Sequence, residues 1–216
     1  MTEQITPRQF HEADGVADWR VAGMGALTHF RTGSFAAGVE LLDAIGELAE
    51  IANHHPDIDL RYSGVTVRLF SHDILGLSER DIDLARQISV AARELDIPAD
   101  PSAVQDVQLT VDALVGEEVM PFWRAVLAYD QVGDEDLIDP YWRAPSIWFQ
   151  QMDAPRRQRN RIHVDVWVPH DEAEARVAAA IAAGGRLVDD ENAPAWWTLA
   201  DAEGNEVDVA TWMGRD

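Results

Sequence analysis

His54 and His55 are adjacent, Pro56 follows at once, and a third histidine, His72, closes the next apolar alternation. Imidazole near its ordinary pKa both gives and takes a proton around neutral pH, so three of the seven histidines within residues 53–73 point to general acid–base work. Pro56 disfavours helix for His55 and fixes its own φ, which holds the pair in a defined extended or turn geometry. Adjacent histidines also have a structural reading, as polar turn residues after a helix, and the local pattern leaves both open. A metal site is disfavoured, because neighbouring side chains in an extended segment point apart and no third ligand stands at a usual spacing.

The elements that must position these residues can be read outward from them. Val65, Val67 and Leu69 alternate with Thr66, Arg68 and Phe70, the period of a strand running into His72-Asp73. Before the pair, Leu41, Ile45, Leu48 and Ala52 form one stripe of a helix, and WRVAG and ALTHF read as a hairpin turned by Gly23-Met24-Gly25. After the strand, Ser78-Glu79-Arg80-Asp81 resembles a capping box that opens a helix with Ile82, Ala85, Ile88, Ala92 and Leu95 on one side. The expectation is an α+β domain over residues 1–98, a small antiparallel sheet with helices on one face. IPADPSAVQD, residues 97–106, reads as a linker.

Residues 104–216 form a second expected domain, with a weak internal repeat. Gln108-Leu-Thr-Val lies over His163-Val-Asp-Val, and each half reads strand, helix, strands, which predicts paired βαβββ modules. Phe122, Val126 and Leu127 supply one helical stripe; Val177, Ile181 and Ala182 supply the other, which stops at Gly184-Gly185. Seven of the eight tryptophans lie here, Trp123, Trp142, Trp148, Trp167, Trp196, Trp197 and Trp212, more indole than a small core needs. Some are expected to line a cup for a small planar ligand.

Composition excludes several classes. All seventeen basic residues are arginine, so Schiff-base lysine chemistry and a Walker phosphate loop are absent. A net charge of -22 argues against nucleic acid and against anionic membrane surfaces. There is no cysteine, hence no disulfide framework, thiolate nucleophile or Cys-based zinc site. With 47% apolar residues, no apolar run of membrane length and an acidic, polar N-terminus, the chain reads as globular, soluble and cytoplasmic.

Trp19, Phe30, Phe35, Glu50-Ile-Ala-Asn-His54-His55-Pro56-Asp57, Tyr62, the Val65-Thr-Val strand, Ser71-His72-Asp73, Gly76-Leu77-Ser78-Glu-Arg-Asp81 and Leu84-Ala85 occur in one order. Over residues 15–97 that order resembles the pterin-4a-carbinolamine dehydratases. The resemblance implies His54, His55 and His72 as catalytic residues and Glu50, Asn53, Pro56 and Asp81, with Trp19, as substrate-binding ones. By themselves Glu50 and Asp81 read equally as solvated helix-face and capping acids, and Trp19 as core or pocket wall. Asn53 departs from the aspartate common in the family. The implied reaction converts a 4a-hydroxytetrahydropterin to a quinonoid dihydropterin without a cofactor, in a homo-oligomer. The resemblance also permits a non-catalytic pterin- or partner-binding role.

The second domain, through His163-Val-Asp and Asp201-Ala-Glu-Gly-Asn-Glu-Val-Asp208, resembles the glyoxalase and bleomycin-resistance type, the vicinal oxygen chelate superfamily. Metalloenzymes of that type place ligands on the first and last strands of each module. His163 and Asp208 match, whereas Gln108 and Gln150 or Gln151 stand where further ligands would be, so a metal-free cup is expected and a metal-dependent enzyme is the alternative. Arg156, Arg157, Arg159 and Arg161 read as a solvated loop or as a clasp for an anion.

Overall fold

The computed structural model describes residues 3–154, 162–200 and 206–215. The arginine run 156–161 and residues 201–205 lie outside these, as do the side chains of Phe122 and Val126. The chain divides into two compact units, the first reaching Gln105 and the second comprising Asp106–Val168 and Ala173–Gly214. Among the described residues no helix is long and apolar enough to cross a membrane.

The first unit carries α1 (Pro7–Glu12), β1 (Arg20–Ala22), β2 (Gly25–Arg31), α2 (Phe35–Ala52), β3 (Asp57–Arg61), β4 (Gly64–Leu69) and α3 (Glu79–Glu94). Its sheet has the order β1-β2-β4-β3, antiparallel throughout, with α2 and α3 packed on each other and α2 against β3 and β4. The expected hairpin forms, but Gly25 pairs with Ala22, so only Gly23 and Met24 make the turn. Val65, Val67 and Leu69 are wholly buried, as are Leu41 and Ile45. Burying each such side chain contributes about 1.5–3 kcal/mol before chain entropy is set against it. The α2 stripe continues to Ala49 and leaves Ala52 exposed, since 3.6-residue periodicity favours the i+4 step from Ile45. In α3 the stripe holds through Ala92, whereas Leu95 caps the helix and is exposed.

The expected linker is partly structural. The Arg31 N–H donates to Pro98 O, Asp100 N–H donates to His29 O, and Ile97 is buried, so residues 97–100 run beside β2.

The second unit carries β5 (Asp106–Ala113), α4 (Gly116–Leu127), β6 (Asp130–Val132), β7 (Asp136–Ile138), β8 (Ser146–Gln151), β9 (Ile162–Trp167), α5 (Ala173–Ala182), β10 (Arg186–Asp189), β11 (Trp196–Ala200) and β12 (Glu206–Ala210). One eight-stranded sheet, ordered β10-β11-β12-β9-β5-β8-β7-β6, holds both halves. Each half pairs its first and last strands in parallel, β5 with β8 and β9 with β12, and the antiparallel β5–β9 pair joins them. This is the βαβββ repeat, doubled.

Alternation along these strands separates two faces. Val111, Ile147 and Phe149 pack with Met120 of α4, and Leu199 and Val209 pack with Ala173 and Val177 of α5. The α5 stripe continues to Ala180, and Ile181 is exposed. On the opposite face the register aligns Gln108 and Thr110 with Asp165 and His163, and Asp165 with Asp208.

Candidate functional site

Helix α2 ends because Asn53 adopts the left-handed region, φ 47 and ψ 41, where its short amide is tolerated better than most side chains. The His54 N–H then donates to Ala49 O, 3.1 Å, closing the helix end. Asn53 is thus the residue that ends the helix and turns the chain into the histidine pair.

From that cap His54 turns inward and His55 outward. His54 is 7% exposed, and its Nε2 lies 2.7 Å from Oδ1 of Asp81, which is wholly buried. Asp81 sits in the first turn of α3, where the helix N-terminus favours negative charge. Its other oxygen, Oδ2, accepts from Ser71 Oγ at 2.7 Å, Ser78 N–H at 2.8 Å and Ser78 Oγ at 3.1 Å, and the two hydroxyls lie 2.8 Å apart. Burial by itself pushes the Asp81 carboxyl up; the bonds from His54, Ser71 and Ser78 outweigh it and hold the group below its ordinary value. A charged, fully bonded carboxylate therefore faces one nitrogen of the imidazole.

His55 is exposed, with Nε2 3.3 Å from Oε1 of the exposed Glu50. His72 is exposed and stands edge-on to Phe70, ring centroids 5.2 Å apart. It follows Ser71, whose N–H donates to Gly76 O in a tight loop, and the neighbouring Asp73 pairs with Arg80. The residues on either side of this loop, Ser71 and Ser78, both bond Asp81, so one carboxylate ties His54 to the His72 loop and to the start of α3.

Trp19, expected among the substrate-binding residues, is wholly buried. Its indole N–H donates to Ser89 Oγ at 3.0 Å and its ring stands edge-on to Phe30. Asp81 likewise has no exposed surface and meets His54 instead of solvent. Pro56 is half-buried beside the pair. Ser71 and Ser78 were legible only as motif and cap residues; their convergence on one carboxylate depends on α3 folding back over the loop.

In the second unit His163 Nε2 lies 3.3 Å from Asp165 Oδ1 and 3.7 Å from Asp208 Oδ2. Thr110 Oγ1 donates to Asp165 Oδ2 at 2.9 Å. Burial lowers the His163 pKa, but Asp165, Asp208 and Asp112 outweigh it and raise the value overall. Burial and neighbouring acids raise that of Asp208. Asp165 is the residue that a search for classical ligand spacing misses, although a His-x-Asp step on a strand puts both on one face.

The tryptophans divide. Trp148, Trp167 and Trp196 share the acid-bearing face by register, and Trp148 Nε1 donates to Glu135 at 3.1 Å. Trp197 and Trp123 pack on the helix-covered apolar face. A concavity lined by Met120, Pro121, Arg124, Ala128, Tyr129 and Gln131 holds no tryptophan.

Residues 2–91 match the family model described as "Pterin 4 alpha carbinolamine dehydratase", and residues 108–210 match one described as "Glyoxalase-like domain". Over 93 residues the chain is 43% identical to a Nocardia farcinica protein named "Putative pterin-4-alpha-carbinolamine dehydratase", covering 43% of this chain and 98% of that one. A protein of the same name from Acidobacterium capsulatum is 37% identical over 86 residues, 39% of this chain and 94% of that one. A solved structure titled as a transcriptional coactivator/pterin dehydratase from Brucella melitensis is 27% identical, with a TM-score of 0.38, covering 42% of this chain and 99% of that one.

Proposed function

Because the chain belongs to the pterin-4a-carbinolamine dehydratase family through its first domain, we propose that this domain dehydrates a 4a-hydroxytetrahydropterin by histidine acid–base catalysis. The observation that carries this is the buried His54–Asp81 pair, next in sequence to the exposed His55 and tied through Ser71 to the loop that bears the exposed His72. With Asp81 ionised, the proton on Nε2 of His54 is held by the carboxylate, and Nδ1 is the nitrogen that exchanges protons with a bound pterin.

The reaction breaks the C4a–OH bond. A proton reaches the leaving oxygen, which departs as water, and a proton leaves a ring nitrogen, giving the quinonoid dihydropterin. His54 and His72 handle these transfers, and His55 positions the pterin and assists in handling the protons, with Glu50, Asn53 and Pro56 at the pterin's edge. Asp81, having no exposed surface, acts through His54 as a positioning residue. No cofactor enters any step. The glyoxalase-like domain, residues 104–216, is read as a cup for a small planar ligand, with Trp148, Trp167 and Trp196 as stacking surfaces. The protein works as a soluble, cytoplasmic homo-oligomer on a small pterin.

The test is dehydration of chemically generated 4a-carbinolamine by purified protein, with and without chelator. Turnover that survives chelation and falls in a His54→Ala, His72→Ala double variant supports the reading. Full activity in that variant defeats it, and pterin binding without turnover assigns the domain to binding instead.

A further inference from the structure

We propose that His163, Asp165 and Asp208 hold one divalent metal ion on the acid-bearing sheet face of the second unit, with Asp165 supplying a ligand from inside the second βαβββ module. The expectation of a metal-free cup rests on a count of two ligands, His163 and Asp208, with amides at Gln108, Gln150 and Gln151. Strand geometry changes that count. Asp165 lies two residues along β9 from His163, so both project from the same face, and it pairs directly with Asp208 on β12. One ligand atom from each of the three residues fits within a mutual distance of 4.8 Å.

The donor set suits a cation. Asp165 is 8% exposed; Thr110 satisfies its Oδ2, but its Oδ1 is buried without a hydrogen-bond donor and points at His163 across 3.3 Å. One imidazole and two carboxylates are the ligands that Mn²⁺, Fe²⁺ or Zn²⁺ accepts, with remaining positions left to water or an incoming oxygen ligand. Of the amides, Gln108 Nε2 donates to Ser146 Oγ, and Gln151 Nε2 donates to the Leu114 and Met152 carbonyls. All three ligands therefore come from one module, which is this chain's departure from a site shared between modules.

The inference is independent of the first domain's chemistry, and its test does not depend on activity. Full-length protein is stripped with chelator, dialysed and titrated with Mn²⁺ and Zn²⁺ by calorimetry. One saturable site per chain is expected. Because losing even a residue behind a ligand costs about 10- to 100-fold in affinity, Asp165→Asn should weaken binding at least about tenfold. Should that variant fail to fold, wild-type protein still decides: substoichiometric Mn²⁺ is expected to broaden the imidazole resonances of His163 and leave those of His54 sharp. Absence of saturable binding by either ion, or broadening confined to other histidines, overturns the proposal.

Discussion

Oδ1 of Asp81 lies 2.7 Å from Nε2 of His54, and the two residues, twenty-seven positions apart, are among the few polar groups buried in the first unit. Around that contact both oxygens of the carboxylate accept from buried donors, so its removal leaves several buried groups without this partner. Asp81→Ala is expected to lower the unfolding free energy by about 1.5–3 kcal/mol, the range for hydrogen bonds to a charged group. Urea denaturation measures this, and a variant as stable as wild type would show the network to be incidental.

The pH dependence has a defined sign. Asp81 titrates below its ordinary value of 3.8 in the folded chain, so the unfolded chain takes up its proton first as pH falls. The stabilisation is present above the unfolded value and is lost as pH drops through the folded one. Comparing wild type with Asp81→Asn in urea from neutral pH downward, the advantage of wild type should be flat near neutrality and shrink on the acid side of 3.8. An advantage that grows on acidification would contradict the assignment.

His55 and His72 are both exposed, which separates their chemical contribution from their structural one. Alanine at either position should change stability by no more than about 0.5 kcal/mol. Carbinolamine dehydration should nevertheless slow by about 10²-fold or more at His72, the range for a general acid–base group. Matched losses in melting temperature and rate would point to a folding defect.

Asn53 offers a test of the helix end. Because its φ is 47, Asn53→Val should cost about 1–2 kcal/mol, whereas Asn53→Gly should be neutral or stabilising. Asn53→Asp keeps the left-handed tolerance and should leave stability nearly unchanged, so any rate change it brings reports on charge beside the histidines. Thermal melts with the dehydration assay separate the two effects.

Ser71→Ala removes one donor to Asp81, while Ser78→Ala removes a hydroxyl but keeps the backbone N–H bond. Each should cost about 1 kcal/mol, less than Asp81→Ala. Removing the carboxylate itself should alter the ¹⁵N signature of the His54 tautomer more than either serine change, since of the three only Asp81 bonds the imidazole. An unchanged tautomer in Asp81→Ala would remove Asp81 from the positioning role.

What the sequence determined by itself was periodic and local. Alternating valines marked β4, the 3.6-residue stripe marked α2 and α3, Ser78 with Asp81 marked a helix start, and the repeat around Gln108 and His163 marked two like modules. These patterns are legible because each residue meets the same backbone period as its neighbours. The histidine motif and the domain families were legible on the same footing, as ordered residue types. Tertiary structure decided the rest. It buried His54 and exposed its neighbour His55, put Trp19 in the core against Ser89, sent Trp197 to the helix-covered face, and set Asp208 beside Asp165 and His163. Each outcome depends on a partner far along the chain, and local spacing carries no information about which distant strand or helix will supply it.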